Sequence, residues 1–536
     1  MQSKSSLPRV DTPASRASIH EVRRIVIGAG IVVALFGKRA EAQCTGASPT
    51  WTTTPDSSSI TACVQGAARG DVIHVTAGNG AATWSAPLSL TRGVALMGPG
   101  RDALTISGAE PLVTIAPDAT AIGSDEIIRV SGFTFDGGDA AVGLLDATGA
   151  DASASHAFRN LIVDDNRFAN MSNVTTESGA IRVFGQVRGV IYENLFDRCN
   201  VVAKIVGNDD VTEWASGKFP VTYGTIDNLY FEDNVIRWSK TFTGGDPGWI
   251  ETGQGGRIVG RYNTWDLTNA SQQELWDIHG FQNWPGGQTG TMVVEYYGNT
   301  ITNVSGYRWV NHRGSWGLFF DNVATGGSGF DIEIDQYAPG DNGGSGCNAD
   351  VSGLGTANGQ VNNTYVFDDT LNGNSTTMTQ GPIGDGCGVT ENAGYWNEND
   401  ACTASACAAG VGRGTTPPTG TCAPGTAYWV CSTPTATTSS AIVQSGHLYQ
   451  CTNANKWTSV YTPFTYPHPL RGGSADGGVP DAGSTDASLD DAAGNDAGTG
   501  NGSAKGCGCG VASSRTTAWP LGLGFVIALL ARRRRA

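Results

Sequence analysis

From Leu161 onward the apolar residues come in short bursts that repeat. Each burst ends in an asparagine, followed at once or after one residue by another apolar or aromatic side chain. The pattern reads Leu161-Ile162-Val163-Asp164-Asp165-Asn166-Arg167-Phe168, then Val190-Ile191-Tyr192-Glu193-Asn194-Leu195-Phe196, then Leu229-Tyr230-Phe231-Glu232-Asp233-Asn234-Val235-Ile236. Weaker copies centre on Asn263, Asn299 and Asn322, and Gly98 and Gly132 hold equivalent places upstream. Bursts this short suit strands, whose side chains alternate between two faces, better than helices of period 3.6. The steps between centres vary from about two dozen to forty residues. A β-solenoid tolerates such variation because loops of any length can leave its corners. Asparagine and glycine adopt positive φ cheaply, so the pattern predicts them as the corner residues. Asparagines stacked coil upon coil can also bond amide to amide. An antiparallel sandwich also favours Asn and Gly in its turns, but eight centres on one template favour the solenoid.

Upstream, Ile60, Cys63, Val64 and Ala67 fall at helical spacing, with Asp56 or a nearby Ser as N-cap. A short amphipathic helix there would cover the open end of the first coil. Then come Gly70-Asp71-Val72-Ile73-His74-Val75-Thr76-Ala77-Gly78 and Val94-Ala95-Leu96-Met97-Gly98-Pro99-Gly100. Helix, G-D-x-x-x-V-x-A-G and a strand ending G-x-G together resemble the opening of pectate-lyase-like proteins. The resemblance runs from about Cys44 to about Gly326. It implies an all-β fold: a right-handed parallel β-helix with an N-terminal capping helix and a small cysteine-rich β appendage. It says little about function, because the fold hosts many activities.

Composition adjusts this picture. Glycine is abundant, with 75 residues in 536, and only 15% of the chain is charged. That suits many short strands joined by turns. The net charge of −16 disfavours a nucleic-acid partner. The twelve cysteines show no zinc-site spacing and read as disulfides of an oxidising compartment. Arg23-Arg24, the apolar run Ile25–Phe36 and Ala40-Glu41-Ala42 make a signal peptide with cleavage after Ala42.

At the other end, Ser474–Gly502 carries six aspartates and almost nothing apolar, so it reads as a disordered spacer. Cys507 and Cys509 follow, then an apolar stretch Trp519–Ala531 and Arg532–Arg535. Acidic stalk, cysteine pair, short apolar span and arginine cluster resemble the myxobacterial sorting tail called MYXO-CTERM. That resemblance implies cleavage near the cysteines by the C-terminal sorting machinery. Cys507 or Cys509 would then become the retained, lipid-modified terminus, with the protein held at the outer membrane. The expected organisation is signal peptide 1–42, β-helix 43–330, Gly-rich loops and cysteine-rich β module 331–470, acidic linker 471–505 and sorting tail 506–536. Within the module, Ala427–Cys431 and His447–Cys451 read as a bridged hairpin, and Tyr461–Leu470 as a segment packing back on the last coils.

Candidate chemistry gathers between Trp238 and Trp316, which holds seven tryptophans. Indoles stack on sugar faces, so Trp249, Trp276, Trp284, Trp309 and Trp316 are candidate binding residues, with Arg308. In Glu274–Gly280, strand alternation puts Asp277 and His279 on one face and Trp276 and Ile278 on the other. In Arg308–Gly314, Asn311 and Arg313 share one face, Arg308, Val310 and His312 the other. Asp277, His279, His312 and Arg313 are the catalytic candidates: a histidine base tuned by a carboxylate, and an arginine fork for a uronate. Hydrolase motifs are not met, since Arg257-Ile258-Val259 lacks a lysine and His279-Gly280 lacks a leading glycine. Asp209-Asp210 with Glu213 is the nearest local carboxylate group for a calcium ion. The expectation is an exported protein engaging extracellular polysaccharide, either as a lyase on acidic glycans or as a non-catalytic glycan-binding or adhesive module.

Overall fold

The structure, a computed structural model, describes residues 44–139, 143–149, 157–172, 179–207, 221–239, 248–270, 274–280, 290–304, 308–314, 316–326, 331–334, 361–380, 389–431 and 439–472. Every coil contributes one strand to each of three sheets in turn. Phe158–Asp164, for example, enters the first sheet, Arg167–Met171 the second and Gly179–Phe184 the third; Val187–Tyr192 then returns to the first. Neighbouring strands within each sheet are parallel, apart from the outermost pairs Cys44–Ala47 with Thr50–Thr53 and Thr370–Leu371 with Asn374–Ser375. This is the expected right-handed parallel β-helix.

The corner between the first and second sheets explains the asparagine repeat, with one correction. Positive φ falls one residue earlier than expected, on Asp165 (48°), Glu193 (53°), Asp233 (55°), Tyr262 (57°), Gly298 (65°) and Asp321 (56°). That residue swings the backbone and leaves the asparagine buried and pointing inward. Each asparagine Oδ1 then accepts from the backbone N and Nδ2 of the asparagine one coil before. Asn234 donates so to Asn263 at 2.9 and 3.1 Å, and Asn263 to Asn299 at 2.9 and 3.0 Å. Each Nδ2 also reaches a carbonyl of the preceding coil, as Asn263 does to Phe231 at 2.8 Å. The ladder runs from Asn166 through Asn322 and ends on a carboxylate: Asp369 Oδ1 accepts from both nitrogens of Asn322. Buried amides are thereby satisfied without side chains leaving the stack.

Inward rows fill the core in register. Phe135, Phe168 and Phe196 stack at 5.5 and 5.1 Å, continued by Ile236, Trp265 and Ile301. Helix Ser57–Gly66 closes the N-terminal end, burying Ile60, Cys63 and Val64. Asp56 is its N-cap, accepting from Ser59 N at 2.8 Å, and a disulfide ties Cys63 to Cys44.

The solenoid continues past the expected boundary at 330, because Asp331–Ile334, Thr364–Phe367, Met378–Gln380 and Tyr395–Asn397 add further parallel strands. Beyond it, Val411–Gly414, Ala427–Cys431, Gly446–Asn453 and Lys456–Tyr461 form a separate sheet. The hairpin there is as expected, but Cys451 bridges Cys422, and Cys402 bridges Cys407. This sheet and the segment through Gly472, together called the cover here, bury the outer face of the first sheet. Tyr230, Val259, Tyr297, Leu318, Phe320 and Tyr365 pack there against Trp429, Leu448 and Tyr461.

The closing segment runs further than the last coils. It crosses back to the middle ones, where Arg261 donates to the carbonyls of Phe464 and Thr465, and Arg471 pairs with Glu193, Glu232 and Asp233. Arg471 and Gly472, expected to open the acidic linker, instead end the closing segment; the signal peptide, the rest of the linker, Cys507 and Cys509 lie outside the described residues. Among the described residues no helix is long and apolar enough to cross a membrane.

Candidate active site

The outward face of the third sheet carries a polar row, one residue per coil. In register it reads Thr114, Asp146, Arg182, Lys204, Glu251, Asp277, Asn311. Parallel strands stack about 4.8 Å apart, so adjacent members touch. Arg182 binds Asp146 through two bonds, of 2.7 and 2.6 Å, and Lys204 Nζ lies 3.3 Å from Glu251.

At Asp277 the row gains its densest cluster. Asp277 Oδ2 meets His279 Nε2 at 2.9 Å. Its Oδ1 accepts from Arg313 Nη2 and, at 3.3 Å, from Asn311 Nδ2. His279 Nε2 also lies 3.6 Å from Glu251 Oε1. Burial would raise the Asp277 carboxyl, but the Arg313 guanidinium and His279 outweigh it and hold the group ionised, below the usual range. An ionised Asp277 fixes Nε2–H as the donor, which leaves the lone pair of neutral His279 on Nδ1. The His279 side chain retains 22% exposure against 3% for Asp277. The ring therefore meets solvent while its support does not.

Alternation sorts the other candidates. Asp277, His279 and Arg313 converge as a hydrogen-bonded group. His312, next to Arg313, must face inward: it is fully buried, with Nε2 3.1 Å from Thr364 Oγ1 and its ring edge-on to Phe319. It therefore cannot touch a substrate lying on the sheet. Trp276 is likewise a core residue, 3.9 Å from Tyr296; Trp309 has the parity of Asn311 yet is also buried, stacked on Trp276 at 6.3 Å, because the register shifts between Arg308 and Val310. Asp277 cannot point outward without sending Trp276 inward, so a sugar-stacking role for that indole is ruled out.

Trp249 is partly exposed and shares the outward face of its strand with Glu251. Trp316 is partly exposed too, but on the first sheet beside Tyr223 at 5.5 Å, away from the cluster. Arg308 opens the third-sheet strand Arg308–His312 and pairs with Asp331; its side chain is outside the described residues, as is Trp284. Asp209, Asp210 and Glu213 lie outside them as well, and among the described residues no three His, Cys, Asp or Glu side chains gather as a metal site. Sequence reasoning missed Lys204 and Glu251. Each is a lone charge in its own strand, and only the stacking register brings Glu251 beside His279 and Lys204 beside Glu251.

The fold and this face define a parallel β-helix protein with a carboxylate–imidazole–guanidinium cluster on one sheet. No family model matches the chain, and no curated protein does. Among solved structures it is similar to the A-module of a mannuronan C-5 epimerase from Azotobacter vinelandii, at 14% identity, over 59% of this chain and 84% of that one, with a TM-score of 0.22. A likeness at that level carries no argument about chemistry, which rests on the side chains above.

Proposed function

We propose that this protein is an exported, surface-held polysaccharide lyase that cleaves an acidic glycan on its third sheet. The observation that carries the reading is the convergence of His279 and Arg313 on one ionised carboxylate, Asp277, on an outward face that also presents Trp249. His279 Nδ1 takes the proton α to a uronate carboxylate. The electron pair forms the C4–C5 double bond as the C4–O bond breaks, and the leaving oxygen recovers the proton from the imidazolium. Asp277 stabilises that imidazolium and fixes the ring, and Arg313 fixes Asp277. Arg313 is committed to Asp277 and Lys204 to Glu251, so both cations act on the substrate carboxylate through the local field of the row and not as free partners.

The test is a panel of polyuronates read by the ultraviolet absorbance of unsaturated products. Wild type should yield product, and His279→Gln should lose at least about a hundredfold in kcat. Retained glycan binding with no product from wild type would instead establish the non-catalytic adhesive module.

The anchoring half of the reading rests on the order of linker, cysteines, apolar span and arginines in the tail. Replacing both Cys507 and Cys509 with Ser should move the protein from the cell fraction to the medium. Unchanged retention would refute it.

A further inference from the structure

Away from the third sheet, two titratable side chains are buried between the solenoid and its cover. Glu295 lies in the outward row Tyr230, Val259, Glu295, Leu318, Tyr365 of the first sheet, a carboxylate among apolar and aromatic neighbours. Its oxygens accept from Gly224 N (2.7 Å), Asn228 Nδ2 (3.1 Å) and, across the interface, Tyr461 Oη (3.0 Å). The groups facing it are Tyr223, Tyr230, Tyr297 and Tyr461, whose phenols burial keeps protonated, and Arg261. Burial pushes the Glu295 carboxyl up to about 7.

His468 occupies the same interface, on the closing segment. Its ring packs against Tyr230 at 4.9 Å and Phe464 at 5.4 Å, and Nδ1 accepts from Leu470 N. Nε2 is buried without a hydrogen-bond partner. Glu232, Arg261 and Arg471 are the charges around it, and Asp233, held by Tyr466 and Arg471, is the next. Burial dominates and pushes the imidazole down to about 4.

We propose that closing the cover over the first sheet binds a proton at Glu295 and expels one from His468, so that docking exchanges almost no net proton in mildly acidic solution. Folding raises the Glu295 carboxyl, so its contribution weakens as pH climbs from the unfolded value, about 4.3, to the folded one. Folding depresses the His468 imidazole, so its contribution weakens as pH falls from about 6.5 toward the folded value. Between those limits the two slopes have opposite sign and cancel. The cover then stays shut across a pH range in which either group alone would loosen it.

The experiment is amide-exchange protection of Ala427–Cys431 and Lys456–Tyr461 in the full disulfide-bonded chain, corrected for intrinsic exchange, at pH 5.0, 5.5 and 6.0. Relative to wild type, protection in Glu295→Gln should rise with pH by roughly tenfold per unit, and in His468→Gln fall by a similar factor. The double variant should run parallel to wild type. Flat profiles in both single variants, or slopes of one sign, would overturn the proposal. If a glutamine variant does not fold, Tyr461→Phe supplies a second reading: it removes a donor to ionised Glu295 and so raises its carboxyl further, and between about pH 6.5 and 7.5, where Glu295 titrates in wild type, protection should fall more steeply with pH than in wild type. The outcome is independent of whether the third sheet is catalytic.

Discussion

Asp369 shows how one atom decides what a position tolerates. The asparagines before it each need an acceptor toward the previous coil and a donor toward the next. Asp369 caps the series, so only its acceptor is used, and Oδ2 is buried without a partner. Burial pushes its carboxyl well above the ordinary range. The folded state therefore prefers the protonated form, and the stability this costs grows as pH rises above about 4. Asp369→Asn should match wild type near pH 3 and exceed it at pH 8 by about 1 kcal/mol or more, measured by denaturant unfolding. The ladder was legible in the sequence because Asn recurs beside an apolar run. Its left-handed residue was not, because Asp, Glu and Tyr at that place carry no common signature. His312 and Trp276 lie in the core for a simpler reason: on strands of period two, the residues next to outward-facing Asp277 and Arg313 must turn inward.

At the scale of the element, the capping helix is the case where local spacing sufficed. Its apolar residues, its N-cap and its covering role all follow from Asp56 to Ala67. Burial opposes the Asp56 charge, yet hydrogen bonds from Thr54, Ser58 and Ser59 bring its carboxyl down to about 2. Asp56→Ala should cost about 1 kcal/mol, and Asp56→Asn much less, because the amide oxygen still accepts from Ser59. A fall in melting temperature of about 2 °C for the alanine variant alone would be the sign. The third-sheet row behaves in the opposite way. Arg182, Lys204 and Glu251 belong to three strands separated by loops of unequal length, so nothing local marks them as neighbours. The strands beyond 330 escape a sequence reading for the same reason: Asp331–Ile334 and Thr364–Phe367 lie far apart along the chain, which hides the repeat.

For the whole molecule, the decisive joint is Arg261. It is fully buried, paired with Glu232 at 2.7 Å, bonded to Tyr297 Oη, and donates to two carbonyls of the closing segment. Arg261→Met leaves the buried carboxylate with Arg471 as its remaining charged partner, and should cost on the order of 3 kcal/mol. Adding Glu232→Gln should recover part of that loss in urea unfolding, which a purely steric role for Arg261 would not allow. The route of the closing segment has a mechanical consequence. Because Gly472 sits beside the coil of Glu193 and not at the last coil, tension applied beyond it pulls on the waist of the solenoid. The load falls first on the Arg471 ion pairs and on Tyr466 and Arg261, in shear across the first sheet. The terminal coils bear no force until that strap has been stripped away.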